Sequence, residues 1–116
     1  MNRWKFGIDN DYLISLVLEG KKTATTSNYD INDLSQVGDR SIITYDNGND
    51  ACLIETKKVI ITEFKNITWE LAILEGENNS LEEWREVHNK FFKSFNKDFN
   101  DDTKVVFEIF EVIEKY

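Results

Sequence analysis

Apolar positions recur at helical spacing over residues 10–19, where Leu13, Leu16 and Val17 fall on one face. Asp9 stands where an N-cap would sit. Gly20 follows as a stop, because glycine enters the left-handed helix-ending conformation without a Cβ penalty. Residues 23–27 are rich in β-branched side chains, which predicts a short strand leaving that helix. Residues 29–38 read as a loop, with Val37-Gly38-Asp39 turning into the next strand. Residues 39–45 and 51–64 read as strands joined across Asp46-Asn47-Gly48-Asn49-Asp50, and Asn-Gly predicts a type I′ hairpin turn in which both residues take positive φ.

Beyond the strands the pattern returns to helical spacing. Thr68 caps a short apolar stretch, residues 69–74, that stops at Gly76. Ser80-Leu81-Glu82-Glu83 matches a capping box, in which the serine and the third-following glutamate satisfy each other's free backbone N–H groups. Behind it Leu81, Trp84, His88, Phe91, Phe92 and Phe95 lie along one broad helical face. Residues 104–113 alternate, with Val105, Phe107 and Ile109 against Glu108 and Glu111, and predict a long strand. The order of helix, strands, two helices and strand predicts an α+β fold, with a mostly antiparallel sheet or small barrel flanked by helices.

Composition adds limits to this picture. The 116 residues make one domain, 1–116, and no proline, repeat, low-complexity segment or linker divides it. With 41% hydrophobic residues, eight of them Phe, a core forms without staples. Cys52 is the single cysteine, so no intrachain disulfide exists, and in a strand it reads as an inert buried thiol. The N-terminus is not followed by the apolar region of a signal peptide, and no apolar run reaches the roughly 20 residues of a membrane span. The expectation is a cytoplasmic protein with no membrane partner. Asp and Glu outnumber Lys and Arg by 22 to 14, a net charge of −8. Grip on long nucleic acid through phosphates needs a basic patch, so this balance favours a small or short ligand.

Three clusters carry candidate chemistry. Lys21-Lys22-Thr23-Ala24-Thr25-Thr26-Ser27 lies where a helix gives way to a strand. One reading is two surface lysines meeting the negative end of the helix dipole, beside a threonine-rich edge strand. The other turns one lysine inward, where burial lowers its pKa and makes it a base for a threonine nucleophile. Strand alternation then points Thr23, Thr25 and Ser27 to one face. Glu75-Gly76-Glu77 reads either as an acidic solvated loop or as paired carboxylates for acid–base work or cation binding. Trp84-Arg85 with His88 reads as core, or as a pocket wall whose aromatic ring stacks a base. His88 is the single histidine and no spacing resembles a ligand set, so neither a metal nor a cofactor is expected.

Gly20-x-Lys22-x-x-Thr25 resembles the G-x-K-x-x-T signature of ASCH domains, members of the PUA-like superfamily. Trp4-Lys5-Phe6-Gly7, Val37-Gly38-Asp39, Ala72-x-x-Glu75-Gly76-Glu77 and Ser80-Leu81-x-x-Trp84-Arg85-x-x-His88-x-x-Phe91-Phe92 extend the resemblance in order along almost the whole chain, as does Val105-Val106-Phe107-Glu108-x-Phe110. The resemblance is to a longer bacterial branch whose members carry a further N-terminal helical stretch before Trp-x-Phe-Gly, where this chain begins. It implies a PUA-like β-barrel whose cleft faces the signature, and RNA or a modified nucleoside as partner. In one branch of amidohydrolases, which remove the acetyl group from acetylated cytidine, the catalytic set maps onto Lys22 as base, Thr25 as nucleophile and Glu75 as the group orienting the lysine. Lys21, Thr23, Ser27, Glu77, Trp84, Arg85 and His88 are then the expected substrate contacts. Another branch has ribonuclease activity, in which the same lysine would stabilise charge on phosphorus. A nucleoside-sensing module without catalysis is the third expectation. Many relatives carry arginine two residues after the signature threonine; Ser27 stands there instead, without a rigid fork for phosphate or a base edge.

Overall fold

The computed structural model describes residues 1–116. Its elements in order are β1 (Asn2–Trp4), α1 (Asn10–Leu18), β2 (Ala24–Asn28), β3 (Arg40–Thr44), β4 (Asp50–Glu63), α2 (Trp69–Ala72), α3 (Leu81–Lys93) and β5 (Lys104–Lys115). β1 has no counterpart in the hydrophobic pattern, because three residues are too few to show a period.

α1 ends as the glycine predicts: Gly20 takes φ +79°, and the amides of Lys21 and Lys22 close onto the Leu16 carbonyl at 2.9 and 3.1 Å. Its start differs from expectation. Asp9 adopts φ +48° and makes no capping hydrogen bond; buried Asn10 anchors the entry instead, accepting from the Phe6 amide at 2.8 Å and donating to the Thr44 carbonyl at 2.9 Å. The β3–β4 turn also departs from type I′. Only Gly48 takes positive φ, +90°, while the Asn47 side chain accepts from the Asn49 amide at 2.9 Å, and a register shift at Ile43/Thr44 makes the closure a bulged one.

α2 is shorter than predicted, because the chain tightens after Ala72 into a 3₁₀ turn over Ile73–Glu75 before left-handed Gly76. Thr68 sits at its N-cap without a side-chain bond. At α3 half of the capping box forms: Ser80 Oγ accepts from the Glu83 amide at 3.1 Å, while the Glu83 carboxylate accepts from Asn78 Nδ2. Trp84, His88 and Phe92 are the buried stripe, and Phe95 lies past the helix end, 55% exposed.

The sheet runs β1-β3-β4-β5-β2, antiparallel throughout except for β1 beside β3. Register shifts in β4 at Leu53/Ile54 and Thr56/Lys58 accompany its curl into a half-barrel. One core forms on the α1 side around Phe6, Ile14, Val17, Ile43 and Phe110, and another beneath α2 and α3 around Phe64, Trp84, Phe92 and Phe107. The architecture is α+β, a curled, mostly antiparallel sheet with helices against it. No helix is long and apolar enough to cross a membrane.

Candidate functional site

The helix stop at Gly20 directs the next residues across the mouth of the sheet. Thr23 fixes the approach: its amide and hydroxyl both donate to the Leu74 carbonyl, at 2.8 and 3.2 Å, and its own carbonyl accepts from the Phe110 amide. This brings the start of β2 against the 3₁₀ turn that carries Glu75. Gly76 then lies so close to Lys21 that a Cβ would fall 2.2 Å from the Lys21 carbonyl oxygen. The acidic loop and the signature stretch, 53 residues apart in sequence, thus share one wall.

Lys22 turns inward and is 1% exposed. Its Nζ lies 3.2 Å from Glu75 Oε1, 2.5 Å from Glu77 Oε2 and 5.2 Å from the centre of the Phe6 ring. The other oxygen of Glu75 accepts from Thr26 Oγ1 at 2.7 Å and from Trp84 Nε1 at 2.8 Å. His88 stacks on Trp84 and donates from Nδ1 to the Trp84 carbonyl at 2.8 Å, leaving Nε2 3.5 Å from Glu75 Oε1.

The two carboxylates respond oppositely to this setting. Burial, the largest single influence on Glu75, opposes its ionisation. The Lys22 ammonium outweighs it together with His88 and Thr26, and holds Glu75 at about 2. Burial also leads at Glu77 and there prevails, with the charge of Glu75 adding to it, so Glu77 is raised above the ordinary carboxylate value despite Lys22. Glu75 is therefore a fixed anion and Glu77 the group able to take a proton. Glu75, Glu77 and His88 offer ligand atoms within 4.8 Å of one another, but the Lys22 ammonium already supplies the positive charge between the carboxylates.

Lys22, Thr25, Thr26, Glu75, Glu77 and His88 line one small cavity of about 80 Å³, whose apolar wall is Phe6, Leu13, Val87 and Phe91. That is well below the roughly 300 Å³ of a usual small-molecule site, so it admits one end of a ligand. Thr25 is half-buried there and its hydroxyl makes no hydrogen bond to the protein.

Other expected contacts sit elsewhere. Lys21 points to solvent and pairs with Glu19 at 3.1 Å, because only one of two adjacent lysines can turn inward at this bend. Thr23 is spent on Leu74. Ser27 is exposed and faces a separate, larger cavity. Trp84 is fully buried, stacked between Phe64 and His88, so it has no free face for a base; it serves the site through Nε1. Arg85 donates to the carbonyls of Phe64, Lys65 and Ile67 and braces the turn before α2. Thr26, Phe6 and Phe91 are site residues that sequence reasoning missed. Phe6 belongs to the Trp-x-Phe-Gly stretch that could have flagged it, whereas nothing local distinguishes Thr26 from Thr25.

The family model of the ASCH domain matches residues 2–114. Among solved structures, a protein from Enterococcus faecalis is 31% identical over all of this chain and 78% of its own, with a TM-score of 0.91. An ASCH domain from Lactobacillus crispatus is 28% identical, covering 96% of this chain and 78% of its own, with a TM-score of 0.87. An ASCH protein from Zymomonas mobilis shares the fold at a TM-score of 0.58 and 11% identity, covering 95% of this chain and 64% of its own. No curated protein matches the chain.

Proposed function

The chain belongs to the ASCH domain family, and from that premise we propose that it hydrolyses the amide of an acylated nucleobase, with acetylated cytidine as the model substrate. The observation that carries the reading is Lys22, buried at the floor of the cavity that Thr25 lines and held between a fixed anion and a protonatable acid. The apolar wall suits a short acyl group, and the cavity's size suits the amide end alone. In the proposed sequence Lys22 Nζ is the base, Glu77 is the neighbouring acid whose protonated form burial favours, and Glu75 stays ionised and keeps the amine in place. Thr25 Oγ1 then forms a bond to the acyl carbon as its proton moves to Lys22 Nζ. Collapse breaks the C–N bond, the leaving amine takes that proton, and water releases the acyl group from Thr25.

The test is deacetylation of acetylated cytidine by the purified protein. Thr25→Val should abolish turnover with an unchanged melting temperature. Thr26→Val, which removes a hydrogen bond to Glu75, should instead lower stability by about 1–2 kcal/mol. Turnover that survives Thr25→Val, or that does not exceed a Lys22→Met control, sinks the reading.

Binding or cleavage of single-stranded RNA is the second reading. A strip at the end of α3 favours it: Lys90, Lys93 and Lys97 form no ion pair, and exposed Phe95 packs edge-on against Phe91 at the cavity, 5.2 Å between ring centres. It requires affinity for a short single-stranded RNA that falls as salt rises. Salt-independent or absent binding rejects it.

A further inference from the structure

The concave face of the sheet holds a second cavity, of about 430 Å³, that the hydrolytic reading leaves unused. Its volume lies within the range of small-molecule sites, as the Lys22 cavity does not. Every strand contributes to it: Trp4 from β1, Arg40 from β3, Thr56 from β4, Glu108 from β5 and Ser27 from β2. Thr56 is the buried residue of the lining. Its backbone is engaged on both sides, with Asp39 and Gly38, and its hydroxyl, which bonds no protein group, is accessible from the cavity. An accessible hydroxyl there can both donate to and accept from a hydroxyl-bearing ligand.

Residues lining the two cavities meet. Trp4 lines the larger and Phe6 the smaller, and their rings meet edge-on with centres 5.0 Å apart. On β2, alternation puts Thr25 and Ser27 on one face, Thr25 in the small cavity and Ser27 in the large one. Glu108, directly across from Thr25 in the β2–β5 register, lines the large cavity. A ligand with its amide end beside Thr25 therefore extends along this face.

The lining chemistry limits what extends there. Serine and threonine hydroxyls alternate with the carboxylates of Asp33, Asp39 and Glu108, and the single cation, Arg40, is already paired with Glu55 at 3.0 Å. Carboxylates accept from hydroxyl groups and repel phosphate. We infer that the concave cavity is the subsite for the uncharged ribosyl group of a nucleoside whose acylated amide end enters the Lys22 cavity, and that it discriminates against a 5′-phosphate. The inference rests on the Lys22 cavity taking the amide end of the proposed substrate.

Binding is measured by calorimetry with four probes: cytidine, cytosine, and the acetylated form of each, and turnover is followed separately. Each nucleoside should bind at least about tenfold more tightly than its free base. Thr56→Val should reduce that ratio roughly three- to tenfold, the range for one hydrogen bond to a neutral group, and leave the binding of the base unchanged. Cytidine 5′-monophosphate should bind more weakly than cytidine, and Glu108→Gln should narrow that gap. Equal binding of nucleoside and base, a ratio unmoved by Thr56→Val in a protein of unaltered melting temperature, or no binding of any probe overturns the inference. A ribosyl preference with no deacetylation leaves the subsite standing and removes the hydrolase; deacetylation of base and nucleoside alike does the reverse.

Discussion

Lys22 and Glu75 form an ion pair from which water is shut out, 3.2 Å apart with side-chain exposures of 1% and 2%. Neither partner is tolerable there alone. Desolvating a single charge outweighs what surrounding dipoles return, and breaking a buried pair leaves the survivor uncompensated. Thr26 and Trp84 donate to the second oxygen of Glu75, and Glu77 accepts a further hydrogen bond from Lys22.

Lys22→Met strands Glu75 as a buried anion and should destabilise the protein by about 3–5 kcal/mol in urea unfolding at neutral pH. The double variant Lys22→Met/Glu75→Gln should recover part of that loss, since no lone charge remains. Strictly additive losses would show that the two groups are not coupled.

The pH dependence has two opposing parts. Glu75 is held at about 2 in the fold against an ordinary 4.5, so it stabilises the protein at neutral pH, and that contribution is lost as pH falls from about 4.5 to about 2. Glu77 is raised above 4.5, so its contribution is present below that value and disappears as pH rises through its folded pKa. Urea unfolding across the acid range should show the loss below about pH 4.5 in the parent and a flatter profile in Glu75→Gln. Glu77→Gln should remove the opposing trend above pH 4.5. Identical profiles for parent and Glu75→Gln would contradict the assignment.

Gly76 and Gly48 share a left-handed backbone, φ +70° and +90°, but differ in space. A Cβ at Gly48 meets nothing, so Gly48→Ala should lose only the roughly 1–2 kcal/mol of the left-handed penalty. At Gly76 it strikes the Lys21 carbonyl, and Gly76→Ala should exceed the Gly48 loss by more than about 1 kcal/mol. Because Gly76 separates Glu75 from Glu77, any activity should fall with it. Equal melting temperatures for the two variants would refute the close approach.

The half-formed capping box separates Ser80 from Glu83. Ser80→Ala removes the bond to the Glu83 amide and should destabilise by about 1 kcal/mol. Glu83→Gln leaves that bond intact and alters only an exposed contact to Asn78, so thermal unfolding should detect less than about 0.5 kcal/mol. A larger effect from Glu83 would restore the reciprocal box.

Much of the fold was legible in the sequence because its signals are local. Leu13, Leu16 and Val17 mark the face of α1, Gly20 its end, Ser80 the start of α3, and the alternation from Val105 to Glu111 the long strand. Periodicity and backbone freedom act within a few residues, so one dimension suffices to read them. The turn at Asn47-Gly48 was misjudged for the same kind of reason: the Asn47 side chain took a local bond that removed its need for positive φ. β1 was missed because its partner, β3, lies some 39 residues away in sequence (Asn2 beside Ser41), and pairing alone makes it a strand.

The signature at Gly20 to Thr25 and the loop at Glu75 to Glu77 were visible as polar clusters, but whether they faced solvent or each other was undecided. Only tertiary structure resolved that, through the Thr23–Leu74 hydrogen bonds and the contact of Gly76 with Lys21, which enclose Lys22 between carboxylates distant in sequence. It also drew the finer distinctions: Lys22 inward and Lys21 outward, Thr26 spent on Glu75 while Thr25 stays free, Trp84 a buried donor, Ser27 in the neighbouring cavity. The sequence by itself determined which elements form and which residues could do chemistry, because those follow from side-chain type and spacing. Tertiary structure alone decided which of them meet and which lose their water, because burial and charge pairing depend on distances that no local pattern carries.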